Sequence, residues 1–136
     1  LMFSLSGTVA LVGWISLAAG ILLRNALLRD TMAGLAIPLA LSTAYAVLIL
    51  VFWWTAEGGF DSLANVQKLF ASPWVALAGW IHYLAFDLAI GALLARKIMA
   101  AGLSRLFLIP ILPLTFLFGP IGFLLAQMLL MIRKGT

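Results

Sequence analysis

The run Gly79-Trp80-Ile81-His82-Tyr83-Leu84-Ala85-Phe86-Asp87-Leu88 sets the chain's one histidine and one of its four acidic residues inside a segment apolar enough to cross a membrane. A charged group near the bilayer centre costs at least ~2.5 to 3.5 kcal/mol on insertion scales, so it normally faces the protein interior with a partner and a task. Asp87 is therefore the leading candidate for proton chemistry. Helical spacing puts Trp80, Tyr83, Asp87 and Gly91 on one stripe, where Tyr83 and Asp87 can touch. His82 is five positions from Asp87, about 140° around the helix, so a direct relay between them is not expected. The histidine instead shares a face with Ala78, Ala85 and Ala89 and is expected to point into a tight contact with a neighbouring helix. There it serves either as a second functional group or as a hydrogen-bonding strut. In lipid, Asp87 is either a neutral acid or half of a structural ion pair with a base such as Arg24 or Arg96.

Composition fixes the solvent these residues work in. Of 136 residues, 65% are hydrophobic and 9% charged, and the mean hydropathy is +1.22. Too few charged side chains exist to coat a soluble domain, so the chain reads as an integral membrane protein. It contains no cysteine, which excludes disulfides, thiolate nucleophiles, iron–sulfur clusters and cysteine-based zinc sites. One histidine and scattered carboxylates give no metal-ligand spacing, so neither a metal nor a cofactor is expected. The net charge of +4 does not point to nucleic acid, because most basic residues sit at the ends of apolar runs.

Four runs reach the ~20 residues of a spanning helix: 2–23, 33–55, 73–95 and 106–132. The expected fold is all-α, one transmembrane domain over 1–136 built as a four-helix bundle, with a polar-lined third helix and a fourth kinked at Pro/Gly. A basic turn at 24–31, a longer mixed-charge loop at 57–72 and a second basic turn at 96–105 connect the spans. Arg24, Arg29, Arg96, Lys97 and Arg105 against Lys68 place both termini outside by the positive-inside rule. Arg133 and Lys134 then fall outside too, unless the last run is a re-entrant pair broken at Gly119-Pro120 that returns the C-terminus inside. A single kinked helix is the preferred reading, since irregular backbone at membrane depth must be buried or line a cavity. In the first span, Ser6, Gly13, Ser16 and Gly20 form a small-residue stripe for close helix approach. That span carries no basic leader region or small-residue cleavage site and is expected to remain as a helix.

Several segments together resemble the neoxanthin-synthase-like family, whose plant members are the abscisic-acid-deficient-four proteins. They are Gly58-Gly59-Phe60-Asp61-Ser62-Leu63, Lys68-Leu69-Phe70-Ala71-Ser72-Pro73, the Trp80-Ile81-His82…Asp87-Leu88 core and Leu114-Thr115-Phe116-Leu117-Phe118-Gly119-Pro120-Ile121-Gly122. The likeness runs from the second span to the end and looks like the bacterial branch. It implies a multi-pass protein of a bacterial inner membrane, or of plastid membranes in plant relatives, that acts on carotenoids. In plants the family is required for converting violaxanthin towards neoxanthin or its cis forms. His82 and Asp87 match the family pattern by position, whereas Tyr83 stands where the plant pattern has a different residue.

The expected activity is a cofactor-independent carotenoid isomerisation, either cis–trans or epoxide to allene. Opening an epoxide needs an acid for the oxygen and a base for a chain proton, and cis–trans rotation needs transient protonation of the polyene. Catalytic candidates are Asp87, His82 and Tyr83; substrate-binding candidates are Trp80, Phe86, Thr115, Phe116, Gly119 and Glu57. Trp80 and Tyr83 would stabilise a delocalised cation through their ring faces. Glu57 at the membrane boundary either meets a polar end group or simply faces water, the commoner role of a loop carboxylate. Expected partners are a carotenoid or other long polyene, the bilayer, and either a second copy of the chain or other carotenoid enzymes. The alternative is a carotenoid-binding or scaffold subunit that performs no chemistry. A transporter is disfavoured because Ser16, Ser42, Thr43, Asp87 and Gln127 form no continuous polar path.

Overall fold

The computed structural model describes residues 1–135, which contain no strand. Helix α1 covers Met2–Leu22, and after a short turn the chain enters wide π-type turns over Leu27–Ala36 that run directly into α2, Ile37–Phe52. A 3-10 turn at Trp53–Thr55 ends this rod; α3 (Leu63–Ala71) and α4 (Pro73–Ala100) follow. A second 3-10 turn at Arg105–Phe107 leads into α5 (Leu108–Leu117) and α6 (Gly119–Gly135). Three rods, Met2–Leu22, Leu27–Thr55 and Pro73–Ala100, are long and apolar enough to cross a membrane.

Local chemistry sets the boundaries. Ser72 accepts the Val75 N–H at 3.4 Å and Pro73 fills the first turn of α4, a serine cap followed by a proline whose missing N–H costs nothing there. The far end of α4 closes at Gly102 (φ +74), with Leu103 N–H donating to Ile98 O and Gly102 N–H to Met99 O, the left-handed finish that glycine permits. The expected polar loop at 57–72 contains α3, because Ser62 accepts the Asn65 N–H at 3.1 Å and caps a new helix. The expected basic turn at 24–31 is shorter, since helical backbone resumes at Leu27.

α4 is the central element, touched by α1, the π-type segment, α2, α3, α5 and α6. Its buried residues Ala78, Ile81, Ala85, Leu88, Ala92 and Ala95 form the spine of the core. The small-residue stripe of α1 does what its composition implies. Ser6, Gly13 and Gly20 are buried, and a Cβ at Gly13 would strike Leu88 while one at Gly20 would strike the Arg29 backbone.

The segment 106–132 corrects the expectation of one kinked span. Phe118 leaves helical geometry (φ −141, ψ 71), and α6 starts afresh at Gly119. A Cβ on Gly122 would fall on the Thr115 backbone, although residues seven apart in a continuous helix are ~10 Å apart along the axis. The chain therefore reverses, and α5 and α6 lie against each other as a hairpin. Gly122 lets the two backbones meet, and the Thr115 hydroxyl at this contact is satisfied within its own helix, donating to Ile111 O at 2.8 Å. The reversal returns Gln127, Met131 and Lys134 to a cavity shared with Lys97, Ala100 and Ala101 at the end of α4. A second cavity at the same end joins Arg24, Arg29 and Arg105. Of the eight basic residues, six thus line cavities at one end of the molecule: Arg24, Arg29, Arg96, Lys97, Arg105 and Lys134.

Candidate functional site

The stripe Trp80, Tyr83, Asp87 and Gly91 faces α1 and the α5–α6 hairpin. Trp80 stacks on Tyr83 with centroids 5.3 Å apart, and Phe3 of α1 lies 5.7 Å from Trp80. Further along, Trp14 rests on Gly91 and meets Phe116 of α5 edge-on at 5.5 Å. The result is a track of rings from the beginning of α1 and α4 towards the hairpin. At its outer end is a groove of about 570 Å³ whose walls include Phe3, Trp74, Leu77 and Trp80.

Asp87 stands where the hairpin turns. Tyr83 Oη donates to Phe116 O at 3.1 Å and to Leu117 O, the last carbonyls of α5, which have no partner within that helix. One turn along α4, the Asp87 carboxylate abuts Gly119, and a Cβ there would fall on its oxygens. The negative end of α5 is thereby held by a hydroxyl, while the positive end of α6 faces an acid. Asp87 Oδ2 is buried and has no hydrogen-bond partner among the described residues, an arrangement that costs free energy unless the group is used. The ion-pair alternative is not built: Asp30, not Asp87, holds Arg29 at 2.7 Å and Arg96 at 3.8 Å. Arg24 sits with Arg29 and Arg105 at the basic end.

The other candidates divide. Phe116 and Gly119 meet Tyr83 and Asp87 at the hairpin turn, and Trp80 stacks on Tyr83 one turn back. His82 does not, and it is not buried in a tight interhelical contact as its alanine neighbours suggested. It is exposed, with the Tyr45 ring of α2 at 5.3 Å and the Phe86 ring at 4.7 Å. Phe86, 58% exposed, shares that outward side. Thr115 is 0% exposed and packs inside the hairpin, away from any groove. Glu57 is exposed in the loop before α3. Sequence reasoning misses Phe3 and Trp14, because the small-residue stripe of α1 says nothing of them; the available signal is Trp14, an indole in mid-span and so too deep to be an interfacial anchor.

A family model described as ABA DEFICIENT 4-like matches residues 1–125, taking in α1 as well as the segments that carried the resemblance. No curated protein and no solved structure matches the chain significantly.

Proposed function

The chain belongs to the ABA DEFICIENT 4-like family, and on that premise we propose that it is an integral-membrane carotenoid isomerase needing no cofactor. The observation that carries the reading is Asp87 Oδ2, buried without a partner at the inner end of an aromatic track. A polyene lying along Phe3, Trp80 and Tyr83 would bring its conjugated chain to this acid. Protonated Asp87 gives its proton to one carbon of the polyene, and the cation spreads along the chain with the ring faces beside it. Rotation about a bond that has lost double-bond character follows, after which the carboxylate takes a proton back. Atoms and electrons balance, and one residue serves as acid and then as base. This economy favours cis–trans isomerisation over the epoxide-to-allene route, which needs a separate base. His82 lies on the other side of α4 and is poorly placed to be that base.

The hairpin also favours a particular topology. With three crossings and a re-entrant α5–α6, Arg133 and Lys134 join the other cations except Lys68 on the cytoplasmic side, and the start of α1 and the Lys68 segment are outside. A fluorescent protein fused after residue 136 is expected to fluoresce in the cytoplasm, whereas a periplasm-dependent phosphatase there is expected to be inactive. The opposite pattern would restore a fourth crossing.

The reading is tested by comparing carotenogenic cells with and without this chain. Chromatography is expected to show a changed isomer ratio at constant total carotenoid and constant mass. An unchanged profile with pigment co-purifying would make the chain a binding subunit; an unchanged profile with no pigment would remove carotenoid from the proposal.

A further inference from the structure

At the basic end two cavities meet. One is an apolar groove of about 510 Å³ between α1 and α5, walled by residues such as Ala18, Leu22, Ile109 and Leu112. The other, about 340 Å³, is a cup formed largely by Arg24, Arg29 and Arg105. Arg105 and Ile21 line both. Arg105 is fixed at the junction, where its Nη1 donates to Ile21 O at 2.7 Å, and its other guanidinium N–H groups remain for a ligand.

The cup is short of negative charge. Its nearest carboxylate, Asp30, is committed to Arg29 through two 2.7 Å hydrogen bonds and also faces Arg96. Among the described residues, Arg24 and Arg105 have no carboxylate partner. Arg24 is also in a left-handed conformation, φ 54. It follows the last residues of α1, where Asn25 N–H donates to Gly20 O, in the position that glycine favours at helix ends. An arginine there is strained, and the cup gains a cation from it.

We propose that this paired groove and cup binds one anionic phospholipid, its phosphate among Arg24, Arg29 and Arg105 and one acyl chain along α5. Basic pockets between helices on the cytoplasmic side suit such headgroups. From Arg105 to Pro113 the groove runs roughly 12 Å at 1.5 Å per residue, close to the ~15 Å depth of one hydrocarbon leaflet. Leu22, Leu106 and Ile109 at its rim are exposed and would be covered by the chain. The cup, which includes Met99, is ~18 Å along α4 from Asp87, while the groove ends at Pro113, one turn before the Leu117 carbonyl held by Tyr83; the site does not depend on the carotenoid reading.

Delipidated protein in uncharged detergent would be titrated with phosphatidylglycerol, phosphatidylcholine and inorganic phosphate, with bound lipid counted by native mass spectrometry. One phosphatidylglycerol per chain is expected, with phosphatidylcholine at least tenfold weaker and no competition from millimolar phosphate. Arg24→Gly keeps the fold, because glycine suits that backbone, yet weakens phosphatidylglycerol binding about fivefold, as one lost cation predicts. Ile109→Trp, which fills the groove without touching charge, weakens it comparably. Lys97→Gln, at the same end but outside the cup, changes it less than twofold. Equal affinity for both lipids, or an equal loss with Lys97→Gln, would overturn the proposal in favour of diffuse attraction. Competition by phosphate with an indifferent Ile109→Trp would overturn it in favour of a free-anion site.

Discussion

Asp87→Asn is expected to fold and to retain pigment while losing roughly 10²- to 10⁴-fold in isomerisation rate, the usual contribution of a positioned acid or base. The carboxamide has almost the shape of the carboxyl, so neither Gly119 nor Tyr83 has to move. No salt bridge is broken, because Asp87 makes none with Arg24 or Arg96. What disappears is the proton that an acid can deliver to a polyene carbon and an amide cannot. Protein reconstituted in liposomes and supplied with a single carotenoid isomer provides the measurement, with bound pigment read by absorbance and product by chromatography. Asp87→Glu keeps the acid but drives it towards α6, and partial activity is expected. If Asp87→Asn forms product at the wild-type rate, the acid is not the donor.

Gly122→Val is expected to have the largest effect on stability of any single change in the hairpin. Its Cβ falls on the backbone N and Cα of Thr115, which no side-chain rotation can relieve, so α5 and α6 must separate. Overpacking in a core typically costs about 1–3 kcal/mol and occasionally more, and a backbone clash belongs at or above the top of that range. Activity should fall with stability, since spreading the hairpin also withdraws Gly119 from Asp87. Thermal unfolding in detergent measures the first effect and pigment turnover the second. The sign of the stability change is informative. In one straight or gently kinked helix, replacing Gly122 would improve helix propensity and stabilise the protein, so a raised midpoint would refute the reversal.

The Tyr83–Asp87 neighbourhood was legible because both residues lie on one helix, where a 3.6-residue period fixes relative direction. The same period separated His82 from Asp87 by angle, and the separation holds. It does not say which side of a helix is covered. That depends on where α2 and the hairpin dock, and His82 and Phe86 fall outside the covered arc. Thr115 and Phe116 show the limit again. They are adjacent in sequence, yet one is locked between α5 and α6 while the other meets Trp14 of α1 edge-on.

Solvent, helical class, the close-packing face of α1 and the stripe that carries the acid can all be read from the order of the residues. Each follows from composition or from a repeat within one helix, and so from forces that act locally. That the last apolar run turns back on itself emerges from packing in three dimensions. Gly119-Pro120 breaks a helix equally well for a kink or a reversal, and the choice rests on whether Gly122 meets Thr115 or lipid. That single contact also sets the acid against a helix start and gathers the terminal cations with the others, because both depend on which way α6 runs.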